Sequence, residues 1–230
     1  MDLKRNERFY KQNDMWRLLG GGLLIAGLIW FWLGWSAASY YGPCIMVPTG
    51  LVLFLVTSAR NVPESEIRGH IQKTMRDLGE DITERPELAR QILSVPAPYR
   101  GEAFAFDERT KVARRGKEAR LLSDVYDATA IFFTKEAMLL RGRTLNLSDG
   151  EVQSTERKLV WQEVGSAELE PYEFRLAMTN KKREIATARG AWLILKDREG
   201  KLLYKAAVPN DMDGEEFCQN VMKKCSEAVV

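Results

Sequence analysis

The sequence lacks charge over one long stretch. Between Arg17 and Arg60 there is no Asp, Glu, Lys, Arg or His, although 29% of the 230 residues are charged. A water-soluble domain interrupts its apolar segments with polar residues far more often than this. We therefore expect this stretch to lie in a membrane.

Cysteine and histidine are scarce. The chain has three cysteines, Cys44, Cys218 and Cys225, and one histidine, His70. An odd number of scattered cysteines gives no disulfide framework and is typical of a reducing compartment. His70 has no Cys or His at ligand spacing, so we expect no metal site and no cofactor.

Motifs of common catalytic and phosphate-binding sites are also missing. The sequence contains no G-x-x-x-x-G-K-[ST], G-x-G-x-x-G, G-x-S-x-G or H-E-x-x-H pattern. We therefore expect no enzymatic activity. The formal net charge is only +2, which argues against nucleic acid as a partner and leaves room only for a local basic site.

The uncharged run is long enough for two membrane crossings. At 1.5 Å per residue, a helix over residues 18–41 exceeds the roughly 30 Å of hydrocarbon, and residues 44–59 form a shorter second span. Gly42 and Pro43 between them are turn residues. The sequence predicts a transmembrane hairpin over residues 18–59, with a single long span followed by a re-entrant or buried apolar segment as the alternative.

Basic residues flank both ends of this run, and the predicted turn has none. They are Lys4, Arg5, Arg8, Lys11 and Arg17 before it, and Arg60, Arg68, Lys73 and Arg76 after it. Basic residues concentrate in cytoplasmic segments next to membrane spans. We therefore expect a multi-pass protein of the cell membrane with residues 1–17 and the C-terminal part both in the cytoplasm.

Small residues repeat at four-residue spacing in the first span. Gly22 and Ala26 form one pair, and Gly34 and Ala38 form another. Such pairs allow two helices to approach closely. Two interpretations stay open: packing within the hairpin, or contact with a helix of another chain.

Residues 60–97 predict a helical neck. Its apolar residues recur at spacings of three and four, which gives one stripe on a helix. These residues are Ile67, Ile71, Met75, Leu78 and Ile82. Pro86 is expected to open a second, shorter helix that carries Leu88, Ile92 and Leu93.

Residues 98–230 have the character of short strands followed by a helix. Seven segments have strand length and apolar or alternating character: GEAFAFDE, ATAIFF, AMLLRGRTLNL, RKLVWQEV, GSAELE, AWLILKD and KLLYKAAV. Residues 197–200 predict a hairpin turn. The last segment places Phe217, Val221, Met222 and Cys225 on one helical face. The predicted class is α+β: a partly open antiparallel barrel or sandwich capped by a C-terminal helix.

Three segments of this domain carry a resemblance. They are IFFTKEAMLLRGR, LVWQEVGSAELE with Trp161 leading into a turn, and VPNDMDGEEFCQNVMKK at the entry to the last helix. The chain from about Tyr99 to Ser226 resembles bacterial pleckstrin-homology-like (PH-like) domains that follow a two-helix membrane hairpin, including the YcxB-like group. The resemblance implies a PH-like fold. The long stretch Pro171 to Gly190 departs from the compact pattern and is expected to add a hairpin at MTNKKR.

A basic cluster follows the first predicted strand. Its members are Arg109, Lys111, Arg114, Arg115, Lys117 and Arg120, and Lys181, Lys182 and Arg183 are expected to add to it if the extra hairpin points the same way. PH-like domains that bind acidic headgroups carry basic residues in this loop. The cluster therefore predicts contact with anionic lipid or a partner. A solvated loop whose charge only aids solubility is the alternative.

Two classes of function agree with these features. The first is a membrane-anchored, non-catalytic binding or scaffold module that presents its PH-like domain to a protein partner or anionic lipid. The second is an accessory subunit of a membrane transport or envelope complex, docked through its hairpin. Either class allows a homo-oligomer.

Overall fold

A computed structural model describes residues 3–11, 15–33, 41–59, 62–76, 78, 89–94, 96–107, 110, 113–115, 120–178 and 185–227. The chain forms two compact units. One is Lys4–Pro63, and the other contains Glu64–Val230 together with Met1–Leu3.

The smaller unit contains three helices in its described residues. Its helices are α1 (Leu3–Lys11), α2 (Met15–Leu33) and α3 (Tyr41–Ala59). Two helices, α2 and the one that begins at Tyr41, are long and apolar enough to cross a membrane. The sequence prediction of two apolar helices near the N-terminus is confirmed.

Glycines allow α2 and α3 to pack closely and antiparallel. A Cβ on Gly20 would lie 2.8 Å from the backbone N of Phe54, and one on Gly50 would lie 2.6 Å from the backbone N of Leu24. Further along α2, a Cβ on Gly27 would lie 2.8 Å from a methyl group of Val47. Residues later in α2 contact residues earlier in α3, so the two helices are antiparallel.

The predicted turn residues are helical. Gly42 and Pro43 belong to the first described turn of α3, so the prediction that they separate the two spans is wrong. Proline is tolerated there because an N–H in the first turn has no acceptor within the helix. Residues 34–40, which join α2 to α3, lie outside the part of the chain that the structure describes.

The larger unit begins with α4 (Glu64–Met75). Ile67, Ile71, Met75 and Leu78 are buried, which confirms this part of the predicted apolar stripe. Ile82, Pro86 and Leu88 of the predicted neck lie outside the described residues. The predicted second helix does not include Ile92 or Leu93. Ile92 forms an isolated bridge with Thr134, and the N–H of Leu93 donates to the carbonyl of Phe133 at 2.8 Å.

Nine strands and a C-terminal helix follow in the described residues. The strands are β1 (Tyr99–Phe104), β2 (Ala113–Arg115), β3 (Leu121–Ser123), β4 (Val125–Phe133), β5 (Ala137–Asn146), β6 (Val152–Val160), β7 (Val164–Ala177), β8 (Ile185–Asp197) and β9 (Leu202–Val208), and the helix is α5 (Met212–Glu227). They form a four-stranded sheet in the order β1-β4-β5-β6, a three-stranded sheet in the order β7-β8-β9, and a ribbon of β2 and β3. All described pairings are antiparallel.

The seven predicted strand segments correspond to β1 and β4–β9. The predicted turn is present, since β8 ends at Asp197 and Gly200 adopts φ 82°. Before and after the MTNKKR stretch, β7 and β8 stay paired out to Ala177 and Ile185. Residues 179–184, where the extra hairpin was predicted, lie outside the described residues. The ribbon of β2 and β3 was not predicted.

Strand β9 crosses the inner face of the four-stranded sheet. Its residues meet the strands in order: Val208 lies against Gly101 of β1, the Ala207 N–H donates to Asp127 of β4, Tyr204 lies against Gly142 of β5, and the Leu203 carbonyl accepts from Arg157 of β6. The two sheets are thereby joined by contacts of β9 with each strand of the other sheet.

Helix α5 covers the core between the sheets. Its Phe217 ring stacks on Tyr99 with centroids 4.6 Å apart and tilts against Phe133 at 5.8 Å. Val221 and Cys225 are also buried, as predicted. Met222, which was predicted on the same face, is 40% exposed. The sheets and α5 therefore share one hydrophobic core.

Replacement of Gly142 by alanine should lower the free energy of unfolding. A Cβ there would collide with the Tyr204 hydroxyl, and overpacking costs about 1–3 kcal/mol. The cost should be smaller in a Tyr204→Phe background, which removes the colliding oxygen. Denaturant unfolding of the purified full chain measures both values.

The matched control is Gly69→Ala. Gly69 lies in α4, and a Cβ there has no atom within 4 Å, so alanine should raise stability by up to about 1 kcal/mol. If Gly142→Ala costs as much in the Tyr204→Phe background as in wild type, the proposed collision is contradicted.

The stability of the domain should depend on the protonation of Asp127. Burial raises the pKa of its carboxyl above the ordinary value of 3.8, and hydrogen bonds from Thr144 and Ala207 offset part of this. Folding therefore favours the protonated acid. The contribution of protonated Asp127 to the free energy of unfolding is fully present below pH 3.8 and is lost as pH rises through the pKa that Asp127 has in the folded state.

The Asp127→Asn variant should remove this pH dependence. Asparagine stays neutral and keeps an oxygen that can accept from Ala207. Between about pH 3.5 and 7, wild type should lose stability relative to the variant, as measured by thermal unfolding at each pH. Parallel curves across that range would show that Asp127 does not titrate as expected.

Candidate functional site

The larger unit contains an open cleft of about 760 Å³. Strands β1, β3, β4, β7 and β8 line it. Its apolar walls are the rings of Phe104, Phe106, Tyr126 and Tyr172, and its charged lining residues are Arg68, Glu102, Arg120, Glu173 and Arg189. We call this surface the aromatic cleft.

Tyr172 is fixed in one wall of the aromatic cleft. It lies opposite Gly190 in the β7–β8 pair, and its ring covers this glycine. The ring also contacts Trp192, with centroids 4.9 Å apart, and its hydroxyl donates to the carbonyl of Phe104 at 3.3 Å. Burial raises the pKa of Tyr172 to about 12, so the hydroxyl remains a donor at neutral pH.

Tyr126 is fixed in the opposite wall. Its ring meets Phe104 edge to face at 5.0 Å, and its hydroxyl donates to Glu102 at 3.0 Å. Burial, together with the nearby Glu102 charge, raises the pKa of Tyr126. Both tyrosines therefore present ordered rings with neutral hydroxyls to the cleft.

The charges around the aromatic cleft are mixed. Arg189 pairs with Glu173 at 2.9 Å, and Arg68 pairs with Glu64 at 2.7 Å. Both side chains of the Arg189–Glu173 pair are exposed, and exposed ion pairs contribute little to stability. Tyrosine and arginine side chains around a concave surface are typical of protein interfaces.

A second depression, of about 600 Å³, lies between α4 and β1. Lys73 and Arg76 of α4 and Arg100 of β1 line it, with Met75, Leu78 and Ala130 as apolar lining residues. We call it the basic groove. Glu102 lines both depressions.

The predicted basic cluster is only partly described. Arg109, Lys111 and Lys117 lie outside the described residues, as do Lys181, Lys182 and Arg183. The backbones of Arg114 and Arg115 form β2 and pair with Leu122 and Leu121 of β3. Arg120 is exposed and lines the aromatic cleft, so this end of the cluster is brought to the cleft.

Of the predicted helix-packing residues, the described pair Gly22 and Ala26 does not form the contact between α2 and α3. Gly22 and Ala26 are exposed, and a Cβ on Gly22 would have no atom within 4 Å. They line a shallow concavity with Met15, Leu18, Leu19 and Leu23. Gly34 and Ala38 lie outside the described part of the chain.

Sequence reasoning missed the aromatic cleft and the basic groove. Lys73 and Arg76 were noted only as charges that flank a span, and Arg100 was not singled out. The available signal was the alternation in β1, where exposed Arg100 and Glu102 alternate with buried Tyr99 and Gly101. That pattern does not show that α4 lies beside the same strand.

The described residues contain no cluster of three or more His, Cys, Asp or Glu side chains that could hold a metal ion. Burial raises the pKa of Cys218 to about 11 and also raises the pKa of Cys225. A raised thiol pKa disfavours the thiolate that acts as a nucleophile. These cysteines contribute to the core.

No family model, curated protein or solved structure matches the chain. Its function is therefore inferred from the geometry of its own surfaces.

Proposed function

We propose that the protein is a membrane-anchored, non-catalytic binding module. In this proposal α2 and α3 form a transmembrane hairpin, both termini are cytoplasmic, and the larger unit is a PH-like domain of the kind in the YcxB-like group. The strand arrangement supports the fold: four strands in one sheet, three in the next and a closing C-terminal helix agree with the PH-like expectation.

The exposure of apolar side chains supports the membrane anchor. Leu18 is 74% exposed and Trp32 is 86% exposed, although both belong to an uncharged stretch. The core helix of a soluble protein buries such side chains, whereas a membrane helix exposes them to lipid. The flanking basic residues support cytoplasmic termini.

The aromatic cleft is the surface that supports the proposal of a protein partner. Its ordered rings offer apolar area with little loss of side-chain entropy, and tyrosine and arginine dominate the binding energy of many interfaces. Because arginines of the cleft pair with glutamates, the surface matches a segment with apolar and mixed charged side chains better than a purely anionic ligand.

A second candidate function is that of an accessory subunit that docks through its hairpin. The exposed face of α2 that contains Gly22 and Ala26 favours this candidate function, because small residues on a membrane helix allow a neighbouring helix to approach closely. In this case the partner is a helix of a transport or envelope complex, or a second copy of the chain.

Membrane topology is tested with single accessible cysteines in a Cys44→Ser background. The Ser39→Cys variant should react with a membrane-impermeant maleimide in intact cells, because residue 39 joins the two proposed spans. The Lys201→Cys variant should react only after the cells are opened. Cys218 and Cys225 are buried and serve as the unlabelled background. Labelling of Lys201→Cys from outside would contradict the hairpin.

The partner site is tested with a photoreactive amino acid at Thr187, an exposed residue of the aromatic cleft. Membranes of the native cells should give one discrete crosslinked product. The Arg120→Glu/Arg189→Glu variant should reduce its yield by more than about tenfold, since a central interface arginine contributes about 2 kcal/mol or more. The probe at exposed Gln153 on β6 is the position control.

Two further variants separate the candidate functions. Arg198→Glu/Lys201→Glu makes the same charge change at exposed residues away from the cleft and should leave the product unchanged. A product formed from a probe at Leu18 and lost in Gly22→Leu would instead favour docking through the hairpin. Absence of a Thr187 product would count against the cleft as the partner site.

A further inference from the structure

The basic groove contains three cations without a partner in the described part of the chain. The side chains of Lys73, Arg76 and Arg100 form no ion pair or hydrogen bond with any described residue. All three are exposed, and all line one depression of about 600 Å³. By contrast, Arg68, Arg141 and Arg189 each have a carboxylate partner.

The carboxylate that lines the basic groove accepts a hydrogen bond from a tyrosine. Glu102 is the one carboxylate that lines the groove among the described residues, and its Oε2 accepts the hydroxyl of Tyr126 at 3.0 Å. The groove therefore has a formal charge of about +2 from three cations and one carboxylate. Gln72 adds an amide that can donate to an anion.

The fold holds the two sides of the groove together. One side of α4 is buried through its apolar stripe of Ile67, Ile71 and Met75. On β5, the guanidinium group of Arg143 donates to the carbonyl of Thr74 in α4. Arg100 lies opposite Ala130 of β4, so a small side chain leaves space beside it. The three basic side chains of the groove therefore extend from α4 and β1, two elements that are packed against the rest of the domain.

We propose that the basic groove binds a phosphoryl anion, through Lys73, Arg76 and Arg100. Arginine offers several donors in a plane that match phosphate oxygens, and lysine adds a compact charge. The apolar lining of Met75, Leu78 and Ala130 accommodates the carbon atoms attached to such a group. The anion can come from an anionic phospholipid or from a free phosphate compound, and the groove is distinct from the partner site proposed in the aromatic cleft.

The test uses the full chain purified in a mild non-ionic detergent. Native mass spectrometry counts phosphatidylglycerol and phosphatidylcholine molecules bound at increasing lipid concentration, and calorimetry measures binding of inorganic phosphate and pyrophosphate. Wild type should bind at least one of the phosphoryl probes more tightly than phosphatidylcholine. The Lys73→Gln/Arg76→Gln/Arg100→Gln variant should bind that probe more than about tenfold more weakly, since each basic residue near an anionic lipid surface contributes appreciably.

The control variant is Lys158→Gln/Lys201→Gln/Lys223→Gln. It removes the same three charges from exposed positions that do not line the groove and should bind like wild type. Both variants should keep the thermal transition of wild type, because exposed charges contribute little to folding.

The probes identify the source of the anion. Binding of phosphatidylglycerol that millimolar inorganic phosphate does not displace assigns the groove to a lipid headgroup. Binding of inorganic phosphate or pyrophosphate, with loss in the groove variant, assigns it to a free phosphate compound. If the groove variant binds every probe as wild type does, or if wild type binds none of them, the proposal is overturned.

Discussion

The larger unit depends on the direct crossing of β9 over the inner face of the four-stranded sheet. Side chains of β9 can lie directly on the backbone of the sheet only where the sheet residue lacks a Cβ, and Gly101 and Gly142 provide that space for Val208 and Tyr204. Gly142 receives the ring of Tyr204, whose hydroxyl reaches Thr129 at 2.7 Å. The crossing therefore joins the two sheets and leaves α5 to cover the remaining opening.

The crossing also uses a buried carboxylate as a connector. Asp127 accepts from the backbone N–H of Ala207 at 2.9 Å and from the hydroxyl of Thr144 at 2.6 Å. A buried acid is costly unless its oxygens are hydrogen-bonded, and these two bonds satisfy both of them. The bond to Ala207 fixes the position of β9 across β4, because a shifted β9 would leave the Asp127 oxygen without its donor.

Local patterns in the sequence account for the elements but not for the surfaces between them. The apolar stripe of α4, the seven main strands, the turn at Asp197 and the C-terminal helix follow from spacing and turn residues. The helical state of Gly42 and Pro43 was missed because proline suits both a turn and the first turn of a helix. The aromatic cleft was missed because its rings come from β1, the segment directly after β1, β4 and β7, and the sequence does not show that these segments meet.

The position of β1 explains why both proposed sites are found around it. Among the described residues β1 is the edge strand of its sheet and pairs with β4 alone, so no further strand of that sheet lies on its other side. Arg100 faces the groove beside α4, Phe104 faces the cleft beside β7, and Glu102 lies between them and lines both. The hydroxyl of Tyr126 holds Glu102 at this shared border. A change in the charge of Glu102 would therefore alter the electrostatic potential of both depressions, so this carboxylate is the electrostatic link between the two proposed sites.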